Sequence, residues 1–134
     1  RLFERILIAN RGEVAARVAR TCRRLGIETI GVHVSDEKDA LHVEACDEVV
    51  DLGEDPSAYR DAARLLAVAR ERGANAVHPG SGLLADDPSF ARAVETEGLL
   101  FVGPAAERFE AAADRIRVRK VAIDAGVRVL AGSD

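Results

Sequence analysis

The 134 residues carry 19 Lys and Arg against 23 Asp and Glu, a net charge of -4, and 48% are hydrophobic, with one tyrosine and no tryptophan. That length and apolar share suit one domain with a single core, and so mildly acidic and aromatic-poor a chain lacks the basic stacking surface of a nucleic-acid binder. No apolar run reaches the length of a membrane span, and Asn10, Arg11 and Gly12 cut the first one too short for a secretion signal.

In chain order, "RILIA" (5–9) reads as a compact strand. Residues 12–25 follow as a helix that puts Val14, Val18, Cys22 and Leu25 on one face, with Gly26 as its stop. "ETIGVHV" (28–34) and "DEVVDL" (47–52) are the next strands. Residues 58–72 form a second helix with Ala62, Leu65, Leu66 and Ala69 inward, ended by Gly73, before the strand "ANAVH" (74–78). At 88–97, Asp87 caps a helix that has Pro88 at its first position, and Gly98 closes it. The strand "LLFVG" (99–103) comes next. A helix over 114–125 is apolar on two sides, Ile116 and Ile123 on one, Val118, Val121, Ala122 and Ala125 on the other, so it expects two neighbours. Gly126 stops it, and "VRVL" (127–130) reads as a sixth strand with a turn beginning in "AGSD".

Strands and helices in alternation, with continuously apolar strands, predict a doubly wound α/β fold: a mainly parallel sheet flanked by helices. There is no internal repeat or low-complexity linker. Cys22 and Cys46 sit among apolar residues without metal-ligand spacing and read as core thiols of a reduced, cytoplasmic protein. The absence of methionine and the opening on Arg1 point to a piece of something longer.

Ligands of open α/β sheets bind at the carboxyl ends of the strands, and two such ends stand out. In "ANRGEVAAR" (9–17) the turn Asn10-Arg11-Gly12 leads into a helix whose free amides favour an anion, a candidate phosphate or carboxylate site. A single glycine does not match the three-glycine dinucleotide fingerprint, and a plain strand-to-helix turn is the favoured reading. Asn10 and Arg11 also stand where a receiver domain would need paired acids. In "VHPGSGLLADD", Pro79 stops sheet pairing, Gly80 and Gly82 allow a ligand close to the backbone, and Asp86 is available to a cation or donor, while Asp87 is better used as a cap. His33, His42 and His78 have no ligand spacing, so no metal site is expected. The outer face of the first helix carries Glu13, Arg17, Arg20 and Arg24, with Glu13 and Arg17 spaced to pair; it is either solvated or a protein contact.

Taken together, "ILIANRGEVAARVARTCRRLGI", "DALHVEACDEVV", "ANAVHPGSG" and "LLFVGP" resemble, in order, the N-terminal domain of biotin carboxylase. This component is shared by acetyl-CoA, propionyl-CoA and related acyl-CoA carboxylases and by pyruvate carboxylase. The resemblance runs along essentially the whole chain. It implies a Rossmann-like domain at 1–112 that precedes an ATP-grasp region, with 113–134 starting the connection into it. It also implies a ligase activity in which ATP and bicarbonate form a carboxyphosphate that carboxylates biotin on a carrier protein, with magnesium serving the nucleotide. The implied partners are the biotin carboxyl carrier, a carboxyltransferase component and a second copy in a homodimer. Most catalytic groups of the family lie beyond this stretch, so these residues alone are expected to be inactive and to hold no cofactor tightly.

Three places depart from the family pattern. Where the family reads His-Pro-Gly-Tyr-Gly-Phe-Leu-Ser-Glu-Asn, this chain has "HPGSGLLADD". Ser81 replaces a tyrosine near the biotin ring, so Gly80, Ser81, Gly82 and Asp86 are implied as a biotin-side rim. Arg115 stands where a family lysine contacts an ATP phosphate; it keeps the charge, not the ammonium geometry. Glu13, Arg17, Arg20 and Arg24 overlap the family's dimer region, with Arg24 in place of a glutamate. These departures leave two alternatives: a non-catalytic paralogue used for assembly or regulation, and another ATP-grasp ligase.

Overall fold

The computed structural model describes residues 2–132. Strands β1 (Arg5–Ile8), β2 (Glu28–His33), β3 (Glu48–Asp51), β4 (Ala76–His78) and β5 (Leu100–Phe101) form one sheet, all parallel, in the order β3-β2-β1-β4-β5. Helices α1 (Gly12–Leu25), α2 (Leu41–Ala45), α3 (Ala62–Glu71), α4 (Pro88–Thr96), α5 (Ala106–Ala113) and α6 (Arg115–Asp124) complete it. The expected doubly wound α/β architecture is present.

Side chains of a strand alternate between the two faces of its sheet, and β1 divides the core on that principle. Leu7 joins Ile30, Val32, Leu65, Val77, Phe90 and Val94 on one face, under α3 and α4. Ile6 and Ile8 join Ala15, Ala19, Cys22 and Ala76 on the other, under α1. Leu7 and Ile8 are fully buried, each stabilising the fold by about 1.5–3 kcal/mol relative to an exposed side chain.

The face that α1 turns to the sheet differs from the expected one. Ala15, Ala16, Ala19 and Cys22 are buried, whereas Val14 is 36% and Leu25 60% exposed. Small side chains let the helix axis approach the strands closely, and the larger apolar residues are left along its flank. In α3 the inward set is Leu65, Leu66, Val68 and Ala69, with Ala62 only partly buried. The Asp87 cap and the Pro88 start of α4 are as expected: the carboxylate accepts from the Ser89 amide at 2.9 Å. Gly26, Gly73, Gly98 and Gly126 lie directly after, or one residue beyond, the ends of their helices with positive φ.

Two expectations at the end of the chain are overturned. Residues 127–130 form no strand: Val127 and Leu130 are 58% and 88% exposed, and no strand lies beside them among the described residues. An isolated extended segment has no ladder to satisfy its backbone. Helix α6, capped by Asp114 through the Ile116 and Arg117 amides, buries no residue; Ile116, Val118, Val121 and Ile123 are all exposed. Neither of its apolar sides therefore meets the sheet domain. The turn expected in "AGSD" extends into residues 133 and 134, outside the described residues.

Candidate functional site

Strands β1 and β4 end level with each other. Ile8 pairs with His78, and the Ala9 amide donates to the His78 carbonyl at 2.9 Å. The chain crosses from β1 to one side of the sheet and from β4 to the other, so these two ends flank the topological switch point. The turns 9–12 and 78–82 meet there.

Asn10 joins them. It is 3% exposed, and its Nδ2 donates to the Pro79 carbonyl at 2.7 Å and the Ser81 carbonyl at 3.0 Å, while its Oδ1 accepts from the Arg11 amide at 2.8 Å. Gly80 makes room for it. A Cβ at Gly80 would lie 2.5 Å from Asn10 Nδ2 and 2.7 Å from its Cγ, and φ there is +68°, a conformation costly for any side chain. The close approach expected at this glycine is thus made by Asn10. His78 braces the same turn from within: its Nδ1 accepts from the Gly80 amide at 2.9 Å, so Nε2 carries the proton, and burial holds the imidazole below its ordinary pKa.

The opening of α1 is held from a distance. The Gly12 amide donates to His42 Nδ1 at 3.1 Å, and His42 Nε2 donates to the Val32 carbonyl at 2.8 Å. His42 is wholly buried, and desolvation is the main cause of its lowered pKa. Helix α1 has no local side-chain cap; a histidine 30 residues on supplies one. Of the candidate anion turn, the Arg11 and Gly12 amides are therefore directed at Asn10 and His42.

The Arg11 side chain turns the other way, pairing with Glu37 and lying 5.4 Å over the Tyr59 ring. The Tyr59 hydroxyl donates to Glu37 at 2.5 Å and accepts from the Val34 amide at 3.2 Å. Burial, reinforced by that carboxylate, pushes the phenol well above its ordinary pKa. No local pattern in the sequence marks this cluster or the His42 contact, because each joins residues from separate elements or connections far apart along the chain.

Ser81, Gly82 and Asp86 occupy the outer lip. Ser81 and Asp86 are exposed, Gly82 has open space where a Cβ would stand, and Leu83 beside it adopts φ +51°, rare for a residue with a side chain. A groove of about 500 Å³ is lined by Val14, Val18 and Leu25 of α1 together with Phe3, Val102, His78 and Ser81. The residues missing from the core face of α1 line it. On the outer face of α1, Glu13 pairs with Arg20 at 2.6 Å, not with Arg17 as its spacing suggested, and Arg24 donates to the Thr21 hydroxyl at 3.2 Å. Arg115 is exposed at the first turn of α6. Among the described residues, no three His, Cys, Asp or Glu side chains are grouped to hold a metal ion, and no helix is long and apolar enough to cross a membrane.

Residues 2–109 match the family described as "Biotin carboxylase, N-terminal domain". The chain belongs to this family. Biotin carboxylase relatives include the propionyl-CoA carboxylase alpha chain of Ruegeria pomeroyi, 44% identical over 133 residues, covering 98% of this chain and 20% of that protein. The biotin carboxylase of Halalkalibacterium halodurans is 42% identical, over 99% of this chain and 30% of that protein. A solved structure of the Hydrogenobacter thermophilus 2-oxoglutarate carboxylase biotin carboxylase domain dimer, in complex with MgADP, ADP and bicarbonate, superposes with a TM-score of 0.95 at 41% identity. That superposition covers all of this chain and 30% of the other. The biotin carboxylase N-terminal domain thus spans between a fifth and a third of these proteins' length.

Proposed function

We propose that this chain is the N-terminal part of an enzyme that uses ATP and bicarbonate to carboxylate biotin on a carrier protein, working in the cytoplasm with a carboxyltransferase component. The observation that carries the reading is the joined pair of turns at the β1/β4 switch point, built from the "IANRGE" and "HPGSG" segments that carry the family resemblance. Residues 1–112 form the N-terminal unit, supported by the family match over 2–109, and 113–134 begin the connection onward. The 134 residues alone do not turn over.

Within that reading, Gly80, Ser81, Gly82 and Asp86 border the biotin, and the exposure of Ser81 and Asp86 on the outer lip supports the role. Arg115, exposed at a helix start, offers its guanidinium to an ATP phosphate. Magnesium enters with the nucleotide. The outer face of α1, with Arg17, Arg20 and Arg24 exposed, contributes to a homodimer.

The test uses the full-length protein: phosphate release from ATP, measured with bicarbonate and with and without free biotin. Bicarbonate-dependent release that free biotin stimulates is the expected result, and Ser81→Tyr should lower the KM for biotin. No release would favour a non-catalytic paralogue; release only with a different acid would make the chain part of another ligase.

A further inference from the structure

We infer that Asn10 is a positioning residue for biotin: its carboxamide sets the 78–82 turn and, through the Ser81 backbone, the lip at which Ser81 stands. The inference rests on the reading of that lip as the biotin side.

All three strong hydrogen bonds of this side chain go to the backbone of the two turns, and none to the sheet or the α1 core. Two carbonyl acceptors on one side and an amide donor on the other also leave only one orientation of the carboxamide in which every contact is favourable. The Pro79 carbonyl is buried with Asn10, so removing its donor leaves a polar group stranded. The sheet itself does not depend on the side chain, because β1 and β4 pair through their own backbones up to Ile8 and His78. An apolar residue would fill the same crevice without directing the Ser81 carbonyl. The Asn10–Gly80 fit is reciprocal: an added Cβ at Gly80 would strike the carboxamide from the other side.

Asn10→Asp is nearly the same shape but presents only acceptors to two carbonyls. The experiment compares Asn10→Asp, Asn10→Ser and Ser81→Tyr in the full-length enzyme. It measures KM for free biotin, KM for ATP, kcat, and hydrogen exchange across 78–84 and across β1. Losing one to two ordinary hydrogen bonds corresponds to about 10-fold or more in the opening of the turn. Asn10→Asp should therefore exchange about 10-fold faster across 78–84, with β1 unchanged, and raise KM for biotin by about 10-fold while KM for ATP stays within about twofold. Asn10→Ser keeps one donor and should fall between Asn10→Asp and the unmodified enzyme, which also covers the case in which Asn10→Asp does not fold. Unchanged exchange across 78–84 overturns the inference. So does an equal rise in both KM values, the mark of a general structural defect. If Ser81→Tyr shifts KM for biotin and neither Asn10 variant does, the inference fails and the lip reading survives. If none of the three shifts it, the lip reading itself is refuted, and the inference falls with it.

Discussion

Replacing His42 by leucine keeps an apolar-sized side chain at a fully buried position but removes both ring contacts. The carbonyl of the wholly buried Val32 loses its donor from His42, and the Gly12 amide loses its acceptor. A buried backbone group left without a partner costs about 1–3 kcal/mol. Water reaches the half-buried Gly12 amide and recovers part of this, so we expect a loss of about 2–4 kcal/mol in all. The substitution should also change the response to acid. Burial lowers the His42 pKa in the folded chain, so as the pH falls below the ordinary value of about 6.5 the unfolded chain takes up the proton first. The stabilisation is complete above that value and declines toward the lower, folded pKa. Between pH 7.5 and 5.5 this histidine should account for a loss of up to about 1.4 kcal/mol, and His78, shifted the same way by burial, adds a loss of the same sign. Urea unfolding of both chains at the two pH values, followed by circular dichroism, measures it. The variant should be much weaker at pH 7.5, with the gap narrowing at pH 5.5. No gap at pH 7.5, or an equal gap at both, would refute the account of His42 as a neutral clasp.

Gly31→Ala would put a Cβ 2.7 Å from Cys46 Sγ and 3.1 Å from its Cβ, a clash between β2 and the residue that ends α2. It should cost about 1–3 kcal/mol in a urea midpoint comparison, and adding Cys46→Ala should recover most of it, a coupling that a double-mutant cycle reads directly. Burial pushes the Cys46 thiol up to about 11, leaving about one molecule in a thousand as thiolate at pH 8. Iodoacetamide should label Cys46 slowly in the folded chain and quickly in urea; fast labelling without denaturant would contradict its packing.

What could be read from the sequence was whatever depends on neighbours along the chain. Five strands were visible because each is a short run apolar on both faces, and the Asp87 cap because a cap is a local contact. The run at 127–130 has the same apolar signature and forms no strand, since a strand also needs a partner, which composition does not supply. The face of α1 was misjudged for a related reason. Hydrophobicity singles out Val14 and Leu25, whereas the sheet accepts the alanines because they allow closer packing. At the site, the glycine-rich turn after β4 and the turn after β1 were both recognisable as strand ends. That Asn10 fills the space left by Gly80, or that His42 caps α1, depends on a side chain meeting backbone across 70 and 30 residues. Such pairings leave no periodicity.

The strand order also bears on how the chain is made. Strand β1 lies at the centre of the sheet, yet Ile6 pairs with Ala76, seventy residues later. As the polypeptide emerges from a ribosome, β1 can pair with β2 on one side long before β4 exists to cover the other. During that interval the central strand of the domain presents an open edge, the form of backbone most prone to pairing with another chain. Late, long-range parallel pairing of this kind is slow. The interval between the emergence of β2 and that of β4 is therefore when this domain most exposes an open edge, and slowing emergence in that interval should increase aggregation more than slowing it once β4 is out.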